Sequence, residues 1–115
     1  MKLLASQEYF EHLIHRAPPD AAPLAEPLPS FTIIYFTATW CGACKALNPD
    51  AIEAAVPQAS WLKCDIDAND YTAGYCGIRS IPTFLAIIDG KIVGKLTSNN
   101  NEKVIAWAKE FASLA

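Results

Sequence analysis

A chain of 115 residues with 52% apolar composition is long enough to bury a core without metal or disulfide staples and too apolar to stay disordered. Nine Lys and Arg stand against twelve Asp and Glu, a net charge of −3 with no basic patch, which excludes nucleic acid or an anionic membrane as an electrostatic partner. No stretch is long and apolar enough to span a bilayer.

Met1 to Ala5 opens like a signal peptide, but the apolar run stops at Ser6-Gln7-Glu8, short of a leader's apolar core. With four cysteines and no export signal, a reducing cytoplasm is the expected location. Lys2 to Ala5 is a candidate short edge strand, and Ser6 is placed to cap a first helix. In that helix Tyr9, Phe10, Leu13 and Ile14 form the apolar face, and Glu8, Glu11 and Arg16 face water. His12 and His15 fall on or just after the polar side and read as solvated. Pro18-Pro19 should stop the helix near Ala17. Five prolines between residues 17 and 30 predict a semi-rigid extended connection. Such a segment can serve as a ligand for aromatic grooves or simply span from helix to strand.

Phe31 to Thr37 is an apolar, β-branched run that reads as a buried strand. It leads into Cys41-Gly42-Ala43-Cys44 and a helical pattern running to about Val56, which Pro49 should kink. Leu47, Ala51, Ala54 and Ala55 are the residues expected to pack on the sheet. Trp61 to Ile66 is the next strand, with Leu62, Cys64 and Ile66 on one face and Trp61, Lys63 and Asp65 on the other. Asp67 to Asp70 is turn chemistry, followed by a short helix from Tyr71 towards Cys76. Thr83 to Ile88 is a strongly apolar strand, Asp89-Gly90 a hairpin turn, and Lys91 to Leu96 the returning strand. Ser98 to Asn101 offers caps for a last amphipathic helix with Val104, Ile105, Ala108 and Phe111 inward. The order β-α-β-α-β-α-β-β-α predicts an α/β fold, a central mixed sheet covered by helices on both faces, as one domain over residues 1–115.

Two thiols therefore sit where a strand hands over to a helix. Unpaired N–H groups and the positive end of the macrodipole at a helix N-terminus favour an anion, so the Cys41 thiolate is stabilised there. Cys44, in the first helical turn and closer to the core, is placed to resolve a mixed disulfide made by Cys41. Gly42 lets the backbone turn without a Cβ in the way. Zinc is the competing reading, but it would need a second pair, and Cys64-x11-Cys76 has no zinc-knuckle spacing. A Cys-x-x-Cys beside a βαβ pattern reads as a redox motif.

With these residues in place the chain resembles the thioredoxin family, most closely its small single-domain members. Trp40-Cys41-Gly42-Ala43-Cys44-Lys45 is similar to the family's active-site motif, with Ala43 where proline is usual. Ala38-Thr39, Pro49, Ile81-Pro82-Thr83-Phe84, Asp89-Gly90, Val93-Gly94 and Glu102-Lys103 fall at matching intervals, and residues 17–30 look like an insertion. The resemblance implies the thioredoxin fold and a redox-active Cys41–Cys44 disulfide, with Cys41 attacking and Cys44 resolving. It implies that Trp40 borders the substrate groove and that Ile81-Pro82 is a cis peptide beside the cysteines. The sequence alone would read Pro82 as a strand-start proline. The Ile81 backbone would then pair with an extended substrate by β-augmentation.

Three departures from the family pattern stand out. Tyr35 replaces the usual buried aspartate, while the matching lysine, Lys63, is retained and is placed to bond the Tyr35 hydroxyl. Tyrosine, with a reference pKa of about 10, is a poor base near neutral pH; the alternative for Tyr35 is a packed core aromatic. Ala43 restores an N–H and frees φ between the cysteines, which shifts the balance of dithiol and disulfide. Ser98 stands where glycine is usual near the substrate groove and would narrow what docks. Of the other cysteines, Cys64 reads as buried and inert, and Cys76 as a structural thiol or one open to regulatory oxidation. The resemblance implies a protein-disulfide reductase with no cofactor, disulfide-containing client proteins, a thioredoxin reductase or equivalent electron donor, no nucleic-acid or membrane partner, and a monomer. Tyr35 and Ser98 also raise a binding or assembly module of the same fold, and Ala43 a more oxidising enzyme, a disulfide oxidant or isomerase.

Overall fold

The computed structural model describes residues 1–115. Five strands, β1 (Lys2–Leu3), β2 (Phe31–Thr37), β3 (Ser60–Asp65), β4 (Thr83–Ile88) and β5 (Lys91–Thr97), form one sheet in the order β1-β3-β2-β4-β5. The β1–β3 and β3–β2 pairs are parallel, and β4 pairs antiparallel with both β2 and β5. Four helices, α1 (Gln7–Leu13), α2 (Pro49–Ala55), α3 (Asp70–Tyr75) and α4 (Asn101–Ala112), cover it.

Strand β2 is the centre because both its edges are paired and both its faces are covered. Phe31, Ile33 and Tyr35 join the core with Ile52 and Val56 at α2 and Val104 and Ala108 of α4. Ile34 and Phe36, on the opposite face, join Phe10 and Leu13 of α1 and Ala73 of α3. The period-two alternation of one strand thus feeds two cores. The β4–β5 connection is a two-residue turn in which Asp89 (φ 48°) and Gly90 (φ 84°) are both left-handed, the conformation that matches strand twist in a tight hairpin. Asn100 caps α4 by accepting from the Lys103 N–H at 3.0 Å.

Three expectations change. Helix α1 starts at its Ser6 cap, whose Oγ accepts from the Tyr9 N–H at 3.1 Å, but ends at Leu13 rather than near Ala17. His15 takes φ 58°, and the N–H groups of His15 and Arg16 bond back to the carbonyls of His12 (3.0 Å) and Glu11 (2.8 Å). That is a Schellman stop with histidine in the position glycine usually fills. The stop leaves His12 half-buried with a buried, unpartnered Nε2 instead of solvated; His15 is exposed.

The helix expected from the cysteines to Val56 is two pieces. A single 3₁₀ turn spans Ala43–Ala46, and α2 begins afresh at Pro49. Pro49 occupies the first helical position, where its missing N–H costs nothing, and Asn48 caps it through a 3.2 Å bond from the Ala51 N–H. The rotation this sets turns Ile52 and Val56 inward and leaves Ala51 and Ala54 exposed, contrary to the expected face; Leu47 is buried and Ala55 half-buried as expected.

Residues 17–30 form no helix or strand. They are not simply extended: the Ala21 N–H bonds to the Pro18 carbonyl at 2.9 Å, and Glu8 of α1 accepts from the Ala22 N–H at 3.0 Å.

Candidate active site

Strand β2 ends at Thr37, whose carbonyl accepts from the Ile66 N–H at 3.0 Å and ties the end of β2 to the end of β3. The chain then turns, the Cys41 N–H bonding to the Ala38 carbonyl at 3.1 Å, and enters the 3₁₀ turn. Cys41 and Cys44 are joined as a disulfide with Cα atoms 5.4 Å apart. The Cys44 N–H points at the Cys41 sulfur at 3.1 Å, the kind of bond that favours a thiolate at that atom. A four-residue turn carries little macrodipole, so this local donor, and not a helix dipole, is what the fold aims at the sulfur.

Cys41 is 5% exposed and Cys44 9%, so Cys44 is not the deeper of the two; with the bond closed, both join the core cluster around Tyr35, Ala38 and Leu47. Gly42 has φ −64°, and a Cβ there would meet nothing within 4 Å. The turn therefore does not require glycine. Ala43 is exposed on the outer side of the turn.

Trp40 is 64% exposed and is held by its indole N–H, which donates to Asp67 Oδ2 at 2.7 Å. The Asp65 carboxylate accepts from the Asp67 N–H at 2.9 Å and fixes that loop. The Ile81-Pro82 peptide is cis, and Ile81 packs against the cluster that holds both cysteines. Trp40, Ile66, Arg79, Ser80 and Ile81 line one cavity of about 320 Å³.

Behind the disulfide lies a second cavity, about 310 Å³, whose wall includes Cys41, Cys44, Tyr35, Lys45, Lys63 and Asp65. Tyr35 and Lys63 are direct register partners on β2 and β3, but no hydrogen bond joins them. The Tyr35 ring stacks on Phe84, centroids 4.8 Å apart and planes 11° apart, and this packing, with 3% exposure, fixes the ring. Ser98 turns its Oγ to the Asn100 N–H at 3.1 Å, so it orders its own loop.

Sequence reading missed Asp65 and Asp67 as site residues. Asp65-Ile66-Asp67 carried the signal: at the end of a strand whose Lys63 faces the cysteine side, positions two and four further along share that side.

Cys64 is buried and Cys76 half-buried, both as free thiols. Burial, with the charge of Asp65 adding, pushes the Cys64 thiol up to about 11. Burial and then Cys64 push Cys76 up to about 12, against a smaller opposing pull from Lys95. Neither is a ready nucleophile. No group of three or more His, Cys, Asp or Glu side chains converges as a metal site would require, and no helix is long and apolar enough to cross a membrane.

A family model described as thioredoxin matches residues 26–110. Thioredoxin of Rattus norvegicus is 30% identical over 114 residues, covering 97% of this chain and 99% of that protein. Thioredoxin-3, mitochondrial, of Saccharomyces cerevisiae is 37% identical over 70 residues, 59% of this chain, and the chain spans about half of that relative's length (55%). The crystal structure of mitochondrial thioredoxin 3 from Saccharomyces cerevisiae in its oxidised form is similar with a TM-score of 0.77 and 28% identity, over 96% of this chain and 94% of that one.

Proposed function

The chain belongs to the thioredoxin family, and from that premise we propose that it is a thiol–disulfide oxidoreductase that reduces disulfides in client proteins. The observation that carries the reading is the Cys41–Cys44 disulfide that follows exposed Trp40, with Ile81 packed against the cluster that holds both cysteines. In the reduced chain the Cys41 thiolate attacks one client sulfur. A mixed disulfide forms and the other client sulfur leaves as a thiolate. Cys44 gives up its proton and attacks the Cys41 sulfur, expelling the second client thiolate. The chain ends as the Cys41–Cys44 disulfide seen here, and two electrons have passed to the client. A reductase or equivalent donor then restores the dithiol. The two sulfurs carry both electrons, so the reaction calls for no organic cofactor or metal.

Trp40 and the Ile81 backbone border the path of an extended client, whose main chain adds to the edge that Ile81 offers. Tyr35 acts as core packing in this reading, and Lys63 as the charged wall of the rear cavity. Gly42 and Ala43 keep the outer side of the turn free of bulk. Residues 17–30 are an insertion that carries the chain from α1 to β2. The working compartment is a reducing one, the cytoplasm, in which Cys64 and Cys76 stay as thiols; the yeast relative named as mitochondrial sets the competing location, which cell fractionation decides.

The test is the equilibrium potential of the Cys41–Cys44 couple in graded glutathione buffers, with thiols trapped and counted by mass spectrometry. The expected value lies below about −220 mV, where a couple is more reducing than the weaker end of the cytosolic glutathione poise. A value near about −180 mV, that of an isomerase, would overturn the reductase reading in favour of an oxidant or isomerase. Absence of a reversible couple would leave only a binding module.

A further inference from the structure

On the far side of the loop that ends in Ile81-Pro82 lies a third cavity, about 400 Å³, that the proposed reaction does not use. Its wall carries two cations, Arg79 and Lys95, and three hydroxyls, those of Ser80, Thr83 and Thr97; its one hydrophobic residue is Ile78, and no carboxylate lines it. Neither cation is in an ion pair. Lys95 Nζ stands 4.0 Å from where a Cβ on Gly77 would lie, so the ammonium group is held over the loop backbone. Thr83 Oγ1 donates to the Ser80 carbonyl at 2.7 Å and accepts from Thr97 Oγ1, also at 2.7 Å, which fixes the hydroxyl wall and commits both threonine protons. A chain of net charge −3 thus leaves two unneutralised positive groups around one polar hollow, a local field that draws an anion.

The hollow adjoins the cavity assigned above to the client. Arg79 and Ser80 line both this cavity and the one bordered by Trp40 and Ile81. An extended client rises about 3.3 Å per residue, so a side chain a few residues from its reacting cysteine reaches past Ile81 to this wall.

We propose that Arg79 and Lys95, with the Ser80 hydroxyl, form a specificity subsite that takes the carboxylate of an Asp or Glu flanking the client's disulfide cysteine. The inference rests on the reading of Cys41–Cys44 as a client-reducing pair. Arg79 offers the planar fork that carboxylates match, Lys95 adds a point charge, and the Ser80 hydroxyl donates to the same anion. The subsite selects acidic clients without touching the reacting sulfurs.

The test uses three synthetic disulfide peptides identical except for Glu, Gln or Lys at positions two to four residues from the reacting cysteine. Second-order rate constants for their reduction by the reduced full chain are read by thiol trapping at low ionic strength. Exposed charge pairs of this kind change rates and affinities by about 1.4-fold to fivefold, so the expected order is Glu over Gln by that factor, with Lys slowest. High salt should bring the ratios towards one. Lys95→Gln should shrink the Glu/Gln ratio, Lys95→Glu should bring it to about one, and an Arg79→Glu/Lys95→Glu double substitution should reverse the order so that the Lys peptide reacts fastest. Both cationic side chains are exposed, and an unchanged thermal midpoint confirms that the variants fold. Equal rates for all three peptides with the unsubstituted chain would overturn the subsite alone. A Glu preference that survives an Arg79→Gln/Lys95→Gln double substitution would also overturn it. Reduction of none of the peptides would overturn the reductase reading and the subsite together.

Discussion

If the proposed reaction holds, replacing Cys44 by serine removes the sulfur that expels the client, so the mixed disulfide on Cys41 should accumulate. Mass spectrometry of the non-reduced adduct should find one client per chain, on Cys41, while Cys41→Ser should yield none. Resolution also needs a proton acceptor for Cys44. The Tyr35 ring is pinned between the core and Phe84, and phenol is a weak base at neutral pH. Asp65 is the one carboxylate in the wall of the cavity that holds both cysteines. Tyr35→Phe should therefore change the rate of mixed-disulfide resolution by less than about threefold, and Asp65→Asn should slow it by about tenfold or more, read by stopped-flow release of the client thiol. The reverse ranking would restore Tyr35 to the proton path.

At the scale of elements, the close approach of β5 and α4 depends on Gly94. A Cβ there would come within 2.5 Å of Phe111 Cζ and 3.0 Å of its Cε2. Gly94→Ala should force the ring aside and destabilise the fold by about 1–3 kcal/mol, measured as a lower urea midpoint at unchanged m. Strands β2 and β4 were legible because continuous apolar runs end in turn residues, and the Asp89-Gly90 turn because its residues tolerate positive φ. The end of α1 was not, since Ile14 continues the apolar period while the stop is made by a left-handed His15, a far weaker signal there than the usual glycine. Pro49 was ambiguous for a different reason: a kink and a fresh start put the same residue after the cysteines, and only the Asn48 cap decides between them. At the site, the adjacent residues Trp40 to Cys44 were readable as a unit. Asp65 and Asp67 belong to it only through the pairing of β2 with β3, a register that a single sequence does not spell out.

Across the whole molecule, Cys64 and Cys76 couple stability to alkaline pH. In the unfolded chain these thiols titrate near the ordinary 9.0; in the fold they hold their protons to about 11 and about 12. Between those values the unfolded chain binds fewer protons, so stability is fully present below about pH 9 and falls as pH rises through 11 to 12. The urea midpoint should be lower at about pH 10.5 than at about pH 8, and the drop should shrink in a Cys64→Ala/Cys76→Ala double variant. The strand order carries a further consequence for a chain emerging from the ribosome. The central strand, β2, pairs only with β3 and β4, both of which follow it in sequence. A nascent chain that has just exposed Cys41 and Cys44 has no sheet to set them in and no Ile81-Pro82 beside them. The dithiol is synthesised as two adjacent thiols with no sheet around them, open to any oxidant or stray disulfide, and the groove beside them forms only after the segment up to β4 has cleared the exit tunnel.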